Sequence, residues 1–157
     1  MSKYKKKISV LTTGDFNEFT TIDENIKIYN LGKIKDDKVL KYFYNTLDLI
    51  VVPSRLEAFG QTASEANSCG IPVVSFNNSG LKNIIVHKKN GWLAKPFNTQ
   101  DLAKGILYIL NLDKANYRKM QSHSIKNNID NFSFKKISRQ YYELYCKIIK
   151  ENNSLKI

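Results

Sequence analysis

The sequence predicts an α/β fold, a parallel sheet with helices on both faces. Two observations predict it. Short apolar runs alternate along the chain with segments whose apolar residues recur every three or four positions, the rhythm of strands and helices taking turns. Most of those runs are also almost continuous rather than alternating with polar residues, as expected of strands buried on both faces. A chain of 157 residues is long enough for one domain with its own core.

The elements follow in order. Ile8-Ser9-Val10-Leu11 is a short strand ending in the turn Thr12-Thr13-Gly14-Asp15. Residues 16–25 are polar and read as loop. Residues 26–31 alternate and stop at Gly32, a second strand. Asp36 and Asp37 can cap a helix that carries Val39, Leu40, Phe43, Tyr44 and Leu47 at helical spacing. Asp48-Leu49-Ile50-Val51-Val52 is the third strand, stopped by Pro53. A helix is expected over residues 61–68, with Gly70 placed to end it in a left-handed conformation. Residues 72–76 form a fourth strand, and Asn77-Asn78-Ser79-Gly80 a turn. A short helical turn near residues 81–86 leads to the last strand, Gly91-Trp92-Leu93-Ala94. Residues 99–111, 114–128 and 133–151 read as helices. The sheet core thus covers about residues 1–112, and C-terminal helices residues 113–157, in a single domain.

Composition narrows the functional classes. Hydrophobic residues make up 42% and charged residues 25%, the balance of a globular chain. The basic start, Lys5-Lys6-Lys7, is followed by an apolar stretch too short for a secretory signal, which predicts a cytoplasmic chain. Cys69 and Cys146 lie far apart, and His87 and His123 have no ligand spacing, so neither a disulfide framework, a metal nor a cofactor is expected. The net charge is +11, from 25 basic and 14 acidic residues. Scattered lysines fit a solvated surface, or contact with an anionic membrane face, better than a nucleic-acid patch.

One loop carries the chemistry. In parallel sheets ligands bind beyond the C-terminal ends of the strands, so the loops after Leu11, Leu31, Val52 and Phe76 are expected along one edge. The loop after Val52 reads Pro53-Ser54-Arg55-Leu56-Glu57-Ala58-Phe59-Gly60-Gln61-Thr62-Ala63-Ser64-Glu65. Glu57 and Glu65 are carboxylates, which accept hydrogen bonds in pairs and suit vicinal hydroxyls. Free N–H groups of Phe59, Gly60, Gln61 and Thr62 at a helix start can receive phosphate or sugar oxygens. Arg55 fits either the mouth of a cleft or plain solvent. Tyr44 and the group Tyr141, Tyr142 and Tyr145 are expected to pack, and His87 to sit in an exposed turn.

This string resembles the C-terminal, donor-binding domain of family 4 retaining glycosyltransferases of the GT-B fold. Its marks are the two glutamates separated by seven residues, Phe59-Gly60 soon after the first, and Gly70-Ile71-Pro72-Val73-Val74 after the second. Gly32, Gly91-Trp92-Leu93, Pro96 and Asp101-Leu102-Ala103 extend the likeness over roughly residues 8–110. The resemblance implies a Rossmann-like sheet, the C-terminal half of a GT-B fold, followed by C-terminal helices. It implies hexosyl transfer with retention from a UDP- or GDP-linked sugar to a saccharide or lipid-linked acceptor, in cell-surface polysaccharide biosynthesis.

By the same resemblance Glu57, the catalytic candidate, contacts the donor sugar's hydroxyls, and Glu65 the ribose hydroxyls. Phe59, Gly60, Gln61 and Thr62 face the sugar and distal phosphate, and Lys33 and Ile34 border the base. The expected partner is an N-terminal acceptor-binding domain, for which this chain has no room. An Arg-and-Lys loop for the diphosphate is not found ahead of residue 8, and Asn83 stands where the family often has an acid. The isolated chain is therefore expected to be inactive. The alternative is a non-catalytic fragment or basic interaction module that binds a nucleotide or the inner face of a membrane.

Overall fold

The computed structural model describes residues 7–14 and 24–154, with side chains as far as residue 152. The expected basic stretch at Lys5 and Lys6 and most of the polar loop over 16–25 lie outside the described residues. The chain divides into two compact units, Met1–Phe43 and Tyr44–Ile157.

In the first unit, β1 (Ile8–Thr12) and β2 (Ile26–Asn30) pair in parallel, Ile8 with Ile26 through Thr12 with Asn30. Gly32 ends β2's loop in the left-handed region at φ +65°. The helix α1 (Asp37–Asn45) follows after residues 33–36, capped by Asp36, whose carboxylate accepts from the Lys38 and Val39 amides at 2.8 and 3.0 Å.

The second unit holds β3 (Ile50–Val52), β4 (Val73–Phe76) and β5 (Gly91–Ala94), parallel and in sequence order. Parallel pairing is as expected, β1 with β2 in the first unit and β3, β4 and β5 in the second. β4 is buried along its whole length, which explains its unbroken Val73-Val74-Ser75-Phe76.

Helices α2 (Gln61–Ser68), α3 (Leu81–Ile84), α4 (Thr99–Leu110), α5 (Lys114–Phe132) and α6 (Phe134–Ser154) complete this unit. Asn98 caps α4 and Asp113 caps α5, each side chain accepting an amide three residues on. Gly70, at φ +78°, turns the chain after α2 as the sequence suggested. One side of the core joins Val74, Ile109 and Met120, with Leu49, Val51, Trp92, Ile106, Tyr108 and Tyr117 packed around them. The Tyr117 hydroxyl donates to the Asp48 carbonyl at 2.7 Å. Burial, with the Asp48 charge adding to it, pushes its pKa to about 12.

The C-terminal tyrosines depart from expectation. Tyr141, Tyr142 and Tyr145 were expected to pack, yet they are 55%, 70% and 58% exposed. Their spacing makes α6 amphipathic, but spacing alone does not supply a surface to bury the stripe against. Among the described residues no helix is long and apolar enough to cross a membrane.

Candidate functional site

The register of β3 on β4, Ile50 with Val73 and Val52 with Ser75, sends the loops after Val52 and Phe76 out of the same sheet edge. Those two loops are stapled together. The Gly80 amide donates to the Glu57 carbonyl at 2.9 Å, and the Glu57 amide to the Ser79 hydroxyl at 3.0 Å. The Asn78 side-chain amide donates to the Arg55 carbonyl at 2.6 Å and to the Ser54 carbonyl at 3.4 Å. Gly80 is required by this approach. A Cβ there would lie 2.5 Å from the Ala58 carbonyl oxygen and 2.8 Å from the Phe59 Cα.

Glu57 is half-buried in this frame, with backbone and side chain both held. The Ser54 hydroxyl donates to its carboxylate at 2.9 Å. Such a carboxylate is oriented, and it keeps lone pairs for further donors.

Glu65 stands in the second turn of α2. Its two oxygens are engaged differently. One accepts from the hydroxyl of buried Tyr44 at 2.8 Å, across 21 residues of sequence. The other accepts from the exposed Gln61 side-chain amide at 2.9 Å, one turn back on the same helix. Burial, reinforced by the Glu65 carboxylate, pushes the Tyr44 hydroxyl far above an ordinary phenol. That shift favours the protonated hydroxyl, the form that donates.

The start of α2 lies between the two glutamates in sequence. Gly60 precedes it at φ +94° and ψ +56°, a conformation that favours glycine. No side chain caps this end. The Ala63 and Ser64 amides both donate to the Gly60 carbonyl, so the amides of exposed Gln61 and Thr62 have no intrahelical acceptor. An uncapped helix start with unpaired N–H groups is an anion-binding arrangement. Asn128 of α5 secures the helix from behind, its amide donating to the Ser64 carbonyl at 2.8 Å and hydroxyl at 2.9 Å.

Glu57, Phe59, Gly60, Gln61, Thr62 and Glu65 thus share one loop and helix. Phe59 is 44% exposed, with its ring edge-on to Phe132. Exposed Lys33 and half-buried Ile34 follow β2 in the first unit. Arg55 lies over the Phe97 ring, 5.5 Å from its centre. His87 packs against Trp92 and accepts the Leu93 amide through Nδ1 at 3.1 Å. Burial, then the neighbouring Lys88, lowers its pKa, with Asp101 opposing. Among the described residues no three His, Cys, Asp or Glu side chains come together as a metal-binding group.

Sequence reasoning did not single out Tyr44, Ser54, Asn78, Ser79 or Gly80 as parts of the site. For the last three a signal was present, since the polar turn at 77–80 follows a buried strand at the ligand-binding edge.

A family model described as glycosyl transferases group 1 matches residues 8–130. The chain is similar to N-acetyl-alpha-D-glucosaminyl L-malate synthase of Bacillus anthracis, at 28% identity over 155 residues, covering 94% of this chain and 40% of that protein. Among solved structures it is similar to sucrose-phosphate synthase from Thermosynechococcus elongatus, with a TM-score of 0.71 and 30% identity, covering 80% of this chain and 31% of the other. It is also similar to Anabaena HepE in complex with UDP and glucose, with a TM-score of 0.67 and 27% identity, covering 77% and 32%. These likenesses bear out the expected fold, the α/β C-terminal half of a GT-B enzyme ending in helices. The chain spans about 40% of the length of the first curated relatives it matches.

Proposed function

The chain belongs to the glycosyl transferases group 1 family, and on that premise we propose that it binds the nucleotide-sugar donor of a retaining hexosyltransferase. The observation that carries this reading is the uncapped, amide-bearing start of α2 with Glu57 held in the loop before it and Glu65 one turn into it. A nucleotide sugar presents sugar hydroxyls, a diphosphate and a ribose diol. Glu57 takes the sugar hydroxyls, Glu65 the ribose hydroxyls, and the amides of Phe59, Gly60, Gln61 and Thr62 the oxygens between. The UDP and glucose bound by Anabaena HepE support a donor of this class.

In this role neither glutamate is a general base. Glu57 orients the sugar while positive charge builds at its anomeric carbon, and the helix-start amides stabilise the departing diphosphate. The acceptor is a saccharide or a lipid-linked saccharide in cell-surface polysaccharide assembly, held by an N-terminal domain of the same enzyme class, on the cytoplasmic side of the membrane.

Calorimetric titration with UDP, GDP and their sugars tests the reading. Saturable binding is expected, weakened roughly tenfold or more by Glu65→Ala, the scale of a lost hydrogen bond to a charged group. Absence of binding to any of these ligands, together with salt-sensitive binding to anionic vesicles, would replace it with the interaction module.

A further inference from the structure

Glu65 holds two donors of opposite character. Tyr44 is 4% exposed, and its hydroxyl donates to Glu65 of α2 at 2.8 Å. Gln61 is exposed and reaches Glu65 across one helical turn. A side-chain pair of that kind contributes only a few tenths of a kcal/mol on a helix surface. A carboxylate that must receive a diol needs one oxygen steadied and the other readily surrendered. Left to itself, a glutamate on an exposed helix face samples several rotamers, and each binding event must freeze them.

We infer that Tyr44 is a positioning residue that fixes the Glu65 carboxylate, and that the Gln61 side chain holds the place a ligand's vicinal diol takes over. The inference rests on the reading of Glu65 as the ribose-binding residue, and it adds a specificity device to that site. The Tyr44 hydroxyl stays on one oxygen in both the free and the bound state. The Gln61 amide leaves the other oxygen, and the ribose 2′- and 3′-hydroxyls donate to the carboxylate in its stead. Preference for a ribonucleotide over its 2′-deoxy counterpart then depends on a residue that never touches the ligand.

The test is the ratio of dissociation constants for UDP and 2′-deoxy-UDP, with the GDP pair run alongside, in the wild type and in Tyr44→Phe, Gln61→Ala and Glu65→Gln. The wild type should prefer the ribonucleotide roughly tenfold. Tyr44→Phe, which keeps the ring and its packing, should reduce that preference below about threefold, chiefly by weakening UDP. Gln61→Ala, which keeps the backbone amide and removes only the competing side-chain donor, should keep the preference and tighten UDP binding by up to about twofold. Glu65→Gln should erase it. A ratio within one protein is not moved by general loss of stability.

Should Tyr44→Phe fail to fold, the wild type supplies the second measurement. The Gln61 side-chain amide signals in the NMR spectrum should shift on saturation with UDP and shift less with 2′-deoxy-UDP. Loss of preference in Glu65→Gln but not in Tyr44→Phe overturns the role of Tyr44 alone. Unmoved Gln61 signals overturn the place-holder. A wild type without ribose preference overturns both together with the reading of Glu65.

Discussion

Two helices of the second unit make opposite use of their sequences. α2 has eight residues and weak amphipathy, yet Ala63, Ala66 and Asn67 are fully buried and its flanks are tied to the 77–80 turn and to α5. α6 has 21 residues and a strong apolar stripe, yet none of its side chains described is buried. Phe134 is 89% exposed and Tyr142 70%. Amphipathy belongs to a segment, whereas burial belongs to a pair of surfaces. α2 is held by small residues that let neighbours come close and by polar side chains that reach it from elsewhere. Those same ties fix Glu57 and Glu65, so rigidity here coincides with the candidate site.

Gly80→Ala should break that side of the comparison hardest. The glycine sits at φ −64°, so alanine is acceptable to its own backbone. The added methyl is not acceptable to the Ala58–Phe59 backbone facing it. Backbone cannot rotate away as a side-chain end can, so the cost should fall at the upper end of overpacking, about 3 kcal/mol. Urea unfolding should show it as a lower midpoint with an unchanged slope. Nucleotide binding should weaken in parallel, because the displaced loop carries Glu57.

Asn128→Ala comes next. It removes both donations to Ser64 from a side chain 9% exposed. The loss should be about 1–2 kcal/mol, within the range for a buried polar contact whose partner is left unsatisfied. A change below about 0.5 kcal/mol, the size of a neutral surface substitution, would mean that α5 does not brace α2.

The legibility of these parts in the sequence follows how far apart their partners lie. The bounds of α2, the left-handed Gly70 and the caps at Asp36, Asn98 and Asp113 depend on residues within one turn, and all but the last two were read in advance. The pair Glu57 and Glu65 was legible because one loop and one helix contain the whole string. Tyr44 was read as core, and it is buried, but its hydroxyl meets a carboxylate 21 residues on. Ser79 meets Glu57 across 22 residues and Asn128 meets Ser64 across 64. No periodicity carries such pairings. The exposed stripe of α6 is the counterpart, a pattern legible in sequence whose burial is not.

The α6 side of the comparison predicts the smallest effect. Leu144 and Ile149 are 49% and 59% exposed. Glutamine has a helix propensity close to that of leucine, so Leu144→Gln with Ile149→Gln should leave the helix itself intact. Because neither side chain is removed from a packed core, the unfolding free energy of the chain should change by no more than about 0.5 kcal/mol. Self-association should fall, since the pair shortens a contiguous apolar stripe exposed to water. Sedimentation and urea unfolding on the same double variant read the two quantities separately. A loss near 2 kcal/mol, the scale of large-to-small changes in a core, would mean that α6 folds back and buries this stripe within the chain. The contrast with α2 would then be one of degree.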